Sequence, residues 1–186
     1  MKTANITAVA VTRGGYDISE VVESLKGFGE VIVQDNSKGQ DYKVWGRYLP
    51  GRAPKFPVMY VQDDDCIVDS QGICNCYGPG VVSLNWSKNH REVNANIYRG
   101  GMAPVGWGAV FDADLRRVLD GWERDDLFLR ECDRVFTALN KINAVEVPMR
   151  HLPRANDRDR MWREPRHLED MEAIRQRIQQ VKKKAA

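Results

Sequence analysis

No apolar run in the chain approaches the roughly 18 residues that a membrane-spanning helix needs, so no such span is expected. The N-terminal stretch ITAVAV follows a single Lys2, is short for a signal-peptide core and precedes no small-residue cleavage pattern. It reads as a strand. An excess of one charge is also missing: 28 Lys and Arg stand against 26 Asp and Glu, a net +2. That balance gives no global case for a nucleic-acid or membrane partner, so any such case must come from local clustering. Cysteine is sparse, and Cys66, Cys74, Cys76 and Cys132 lack the paired CxxC spacing of a zinc site. Cys74 and Cys76 alternate as if on a strand. Buried free thiols in a reducing cytoplasm are the expectation. Internal repeats and low-complexity segments are absent as well.

What remains is 186 residues, 42% hydrophobic and 29% charged, the size and mix of one globular domain with a real core. NITAVAVTRGG begins as a β-branched run and breaks at Gly14-Gly15. A helix is expected next, with Asp17 as cap, Glu20 completing a capping box, and Ile18, Val21, Val22 and Leu25 as its apolar stripe. EVIVQDNS is a second strand. Strand, helix and strand within 37 residues imply a parallel sheet. A short helix is expected through Val44 to Leu49, then the strand VMYV. Shorter strands and turns are expected over 70–111, including GVVSLNW, NANIYRGG and GWGAVF. A helix behind a capping Asp112 follows, then another from Asp125-Asp126 with Phe128, Cys132, Val135, Phe136 and Leu139 on one face. NAVEVP closes the sheet. Beyond it, residues 150–166 hold six arginines against three acids. A terminal helix follows, striped by Leu168, Met171, Ile174, Ile178 and Val181, and is expected to pack on the domain or on a partner. The division is a catalytic domain over 1–150 and a basic C-terminal segment over 151–186.

The strand VMYV runs into Asp63-Asp64-Asp65. Three adjacent carboxylates repel one another and suit either a solvated turn or a divalent cation. In an open α/β sheet, ligands bind beyond the C-terminal ends of the parallel strands. The first three strands end in Thr12-Arg13, Asp35-Asn36 and the acidic triplet, so all three would face one crevice. Hard carboxylate oxygens there suit Mg²⁺ or Mn²⁺.

AVTRGG, VIVQDNS and VMYVQDDDCIVD, in this order, resemble the N-terminal half of the GT-A nucleotide-sugar glycosyltransferases over residues 5–69. The resemblance implies a Rossmann-like, open, mixed but mainly parallel sheet flanked by helices, with a C-terminal helix added. It implies that Thr12, Arg13, Asp35 and Asn36 hold the donor nucleoside, and that a DXD motif holds the metal and the donor diphosphate. Asp63 and Asp65 are then the metal ligands and Asp64 a donor contact. GWGAVF resembles the family's glycine-containing loop, giving Gly106, Trp107 and Gly108 to the acceptor. Arg124-Asp125-Asp126 resembles its xED motif with Asp in place of Glu, so Asp126, beside Asp125, would be the general base of an inverting reaction. The family's C-terminal histidine maps to His151, or failing that to His167. WGRYLPGR resembles the donor-side helix, and Arg47 rather than Arg52 would reach the diphosphate. Small proteins of this kind are known among phage-encoded enzymes, some of which decorate modified DNA bases. The implied partners are therefore a nucleotide-sugar donor and an acceptor that includes DNA.

Each residue also has a structural explanation. Asp125 and Asp126 suit a helix N-terminus by capping and dipole alone, Asp35 suits the turn DNSKG, and Gly106 and Gly108 suit a tight turn. The expected activity is metal-dependent sugar transfer from a nucleotide sugar to an acceptor hydroxyl. Two rivals remain: a nucleotidyltransferase using the same crevice, and a non-catalytic nucleic-acid-binding protein working through its basic C-terminal segment.

Overall fold

Thr7–Thr12 (β1) is buried along its whole length, as a strand covered on both faces must be. It pairs in parallel with Glu30–Asp35 (β2) on one side and Val58–Asp63 (β3) on the other. The computed structural model describes residues 1–15, 17–88, 102–103, 105–153 and 165–185. The expected strand NANIYRGG and most of the arginine-rich stretch 150–166 lie outside them. Val82–Asn85 (β5), Ala109–Asp112 (β6) and Ile142–Val145 (β7) complete a six-stranded sheet of order β2-β1-β3-β6-β5-β7. Only β6 runs against its neighbours; β5 and β7 pair in parallel. The architecture is α/β with a mixed, mainly parallel sheet and a C-terminal helix.

Alternation along the strands divides the core in two. Val9, Ile32, Met59 and Val61 face a layer built by the 3-10 helices Lys43–Tyr48 and Ala113–Leu119 and by the helix Asp126–Leu139. Ala8, Ala10, Val58 and Tyr60 face the short helices Ser19–Ser24 (α1) and Ser70–Asn75 (α2). Asp126–Leu139 is α3; its Phe128, Cys132, Val135 and Phe136 are fully buried at helical spacing. The terminal helix His167–Ala185 (α4) packs on α3 through Met171, Ile174 and Ile178. Leu168 and Val181, expected on the same stripe, are exposed because only the middle turns lie against α3. A small sheet of Cys66–Val68 (β4) and Met149–His151 (β8) sits beside the main one.

Several local expectations need correction. Cys74 and Cys76 belong to α2 and its C-terminus rather than to a strand, because the Asp69 carboxylate accepts from Gly72 N at 2.9 Å and starts a helix there. The thiols are free, with Cys66, Cys74 and Cys132 buried. Asp17 accepts from Ser19 N and Oγ at 2.8 and 3.0 Å, but Glu20 closes no capping box, since its carboxylate pairs with Arg150 across the chain. Asp112 does not cap the following helix. Its two oxygens accept from Tyr77 Oη and Gly80 N, at 2.5 and 2.6 Å, and the segment after it winds as a 3-10 helix.

Candidate active site at the strand ends

Register places Thr12 opposite Asp35 and Val11 opposite Asp63, so three strand ends finish at one edge of the sheet. Thr12 is buried and its Oγ1 accepts from Gly14 N at 3.0 Å, turning the chain out of β1. Arg13 is exposed just beyond. Asp35 accepts from Ser37 Oγ at 2.6 Å and Ser37 N at 3.0 Å. These bonds, the hydroxyl first, hold its carboxyl below the usual range. Asn36 is buried and donates from Nδ2 to Lys43 O at 2.9 Å, while its Oδ1 has no partner among the described residues. Asn36 thereby fastens the end of β2 to the start of the 3-10 helix. Lys43 itself sits at φ 50°, a left-handed backbone that few side-chain-bearing residues adopt.

The acidic triplet turns inward. Asp64 and Asp65 are 4% and 8% exposed, so the solvated-turn alternative does not describe them. Neither is without a polar or electrostatic partner. Gln62, fully buried, accepts from Tyr60 Oη at 2.8 Å and donates to Cys66 O at 3.1 Å, bracing the turn from below. Asp63 faces two ways. Its Oδ1 accepts from Arg47 Nη2, and its Oδ2 lies so close over Gly106 that a Cβ there would fall 2.0 Å away. Asp63 N also donates to Gly106 O at 2.7 Å. Gly106 is therefore glycine because a carboxylate occupies the place of its side chain. Gly108, at φ 98°, receives Asn85 N on its carbonyl at 2.8 Å and leads into β6.

Between those glycines Trp107 meets the His151 ring edge-on, at 5.9 Å between centroids. His151 pairs with Cys66 across the small sheet, and Leu152 N donates to Asp65 O at 2.7 Å. The chain thus brings His151, Trp107, Asp63 and the Asp65 backbone into one neighbourhood from three distant segments. His167 is elsewhere, at the start of α4, 3.5 Å from Glu131. Among the described residues no three His, Cys, Asp or Glu side chains close around a common point. The donor chemistry of Asp63, Asp65 and His151 nevertheless fits a divalent cation: two hard carboxylates and one imidazole.

Arg47 is 5% exposed and lies between two carboxylates, Asp63 and Asp133 of α3. Tyr48 Oη donates to the second Asp133 oxygen at 2.7 Å. Burial pushes the Asp133 carboxyl up to about 6, more than the facing guanidinium pulls it down. Arg52, in contrast, is on the surface near Glu30. Asp133 escaped the sequence reading because it looks like a helix surface acid. The signal available was its place seven residues after Asp126, two turns along the same face.

At the start of α3 the two acids divide. Asp125 caps the helix, accepting from Phe128 N at 2.8 Å, and pairs with Arg177 at 2.7 Å. Asp126 is half exposed and pairs with Lys43 and Arg166. The Lys43 ammonium first, then the Arg166 guanidinium, hold its carboxyl below the usual range. Asp126 lies about 10 Å along α3 from Asp133, and no described contact joins it to the acidic triplet. No family model matches the chain, and no curated protein matches it.

Proposed function

We propose that the chain is a metal-dependent glycosyltransferase of the GT-A type, transferring a sugar from a nucleotide sugar to an acceptor hydroxyl. The observation that carries the reading is the meeting of Thr12, Asp35-Asn36 and Asp63 at the C-terminal edge of a parallel sheet, with Trp107 and His151 delivered to the same place. Ligands of open α/β sheets bind at that edge. Asp63, Asp65 and His151 would hold Mn²⁺ or Mg²⁺, which supplies Lewis-acid stabilisation of the departing diphosphate. Thr12, Arg13, Asp35 and Asn36 would hold the nucleoside, and Trp107 offers a flat surface to the acceptor.

Arg47 in this reading is a positioning group. Its charge is already matched by Asp63 and Asp133, so it aims the Asp63 carboxylate rather than seeking the diphosphate. Asp126 remains the proposed general base. It is ionised at neutral pH, and it accepts a proton once the incoming acceptor displaces Lys43 or Arg166 from its oxygens. DNA as acceptor belongs to the same proposal.

The test is thermal unfolding with a panel of nucleotide sugars, with and without Mn²⁺. Stabilisation that requires the metal and disappears in Asp65→Asn supports the reading; ligand at a hundred times Kd adds about 2.7 kcal/mol. No shift with any nucleotide or nucleotide sugar at millimolar concentration overturns it. Among turnover products, nucleoside diphosphate indicates sugar transfer, whereas pyrophosphate indicates nucleotidyl transfer.

A further inference from the structure

A second concavity lies at the other end of the sheet. Asp112, the last residue of β6, pairs with Val58, the first residue of β3. Five residues of β3 therefore separate that end from Asp63, about 16 Å. There the chain after the 3-10 helix Lys43–Tyr48 and the 3-10 helix Ala113–Leu119 border an open cavity of about 580 Å³, the size of a small-molecule site. Leu49 and Leu119 supply buried apolar wall. Leu49 holds a left-handed backbone at φ 51°, a cost of order 1 kcal/mol or more for a branched side chain.

Two guanidiniums line this cavity without a carboxylate in contact. Arg116 donates from Nε to Ala113 O at 2.8 Å and from Nη1 to Tyr48 O at 2.7 Å, both neutral carbonyls. Arg124 donates from Nη1 to Leu119 O at 2.7 Å and lies 4.3 Å over the Trp45 ring and 4.6 Å over Phe128. Neither makes an ion pair among the described residues. Two acids share the lining with four arginines, Arg52, Arg116, Arg117 and Arg124: Asp114 pairs with Arg117 at 3.1 Å and acts on Arg116 through space, and Asp120 acts through space on Arg116 and Arg124. Partial burial pulls both arginines below their ordinary range. A guanidinium whose hydrogen bonds go only to carbonyls keeps several N–H donors open to a ligand, and the four arginines of the lining outnumber its two acids.

We propose that this cavity binds a small phosphate monoester, with Arg116 and Arg124 gripping the phosphate and the leucine wall taking the apolar or aromatic remainder. The planar fork of each guanidinium matches two phosphate oxygens at once. No residue of the acidic triplet lines this cavity.

Isothermal titration with phenyl phosphate, inorganic phosphate and benzyl alcohol tests the site in the full chain. Phenyl phosphate is expected to bind saturably with Kd near or below about 1 mM, inorganic phosphate more weakly, and benzyl alcohol not at all. Arg124→Gln should weaken phenyl phosphate at least about tenfold, the loss of one charge-assisted contact. Ala53→Glu, on an exposed position of the cavity rim that supports no core packing, should do the same by repulsion. Asp65→Asn should leave binding unchanged. Absence of saturable binding, equal binding of benzyl alcohol, persistence of full affinity in Ala53→Glu, or loss in Asp65→Asn would each overturn the proposal.

Discussion

Asp133 holds its proton more tightly in the folded chain than in the unfolded one, and this gives the residue a measurable signature. Its unfolded value is near 3.9, and burial raises the folded one to about 6. Between those values the folded state binds more protons than the unfolded state, so this group's contribution to stability falls as pH rises from 4 to 6 and is flat above. Asp35 and Glu30 are shifted down and act with the opposite sign at lower pH. Subtracting the urea-unfolding profile of Asp133→Asn from that of the wild type should therefore leave a downward slope confined to pH 4–6. Removing the carboxylate leaves Arg47 buried beside Asp63 alone. Asp133→Ala should cost about 1–3 kcal/mol in urea unfolding, because Arg47 keeps only its Asp63 partner and Tyr48 Oη loses its acceptor. Gly106→Ala should also destabilise, by about 1–3 kcal/mol, since its methyl group would occupy the space of Asp63 Oδ2. The same variant should lose any Mn²⁺-dependent thermal shift.

α3 shows how far a helix can be read before it is seen. Its apolar face was legible because Phe128, Cys132, Val135 and Phe136 recur at the helical period. Its start was legible because Asp125 precedes the run and does cap it. Asp125→Ala should thus lower stability by about 1 kcal/mol in thermal unfolding, and Asp125→Asn by much less, since the amide oxygen still accepts from Phe128 N. A purely catalytic Asp125 would show no such difference in stability. The three strand ends were legible for a similar reason: β-branched runs alternating with a helix dictate parallel pairing, and parallel pairing aligns the C-terminal ends. What escaped was tertiary. The Arg47–Asp133 pairing joins residues 86 apart, and nothing in either local sequence names the other. The Cys74 segment was misread because a short apolar run serves a strand or a helix equally, and the Asp69 cap decides the matter.

Across the whole molecule, the four thiols report on packing. Cys66, Cys74 and Cys132 are buried, and burial pushes each thiol well above its ordinary range, whereas Cys76 is partly accessible. Native protein should react with a thiol reagent at Cys76 first and almost alone, and denatured protein at all four. Truncation before His167 should expose the α3 face that Ile174 and Ile178 cover, seen as a less cooperative melt. The reversed direction of β6 has a kinetic consequence. Because β6 runs backward, the loop before it, and not the one after it, reaches the edge where β1, β2 and β3 end. Trp107 can meet His151 only after segments 23 to 52 residues apart, from Thr7 to Glu30 and to Met59, have zipped in register and the small sheet has closed on them. Such distant pairings form slowly. In a refolding experiment the Trp107 environment should thus mature after the bulk of the secondary structure, with the crevice assembled among the last parts of the chain.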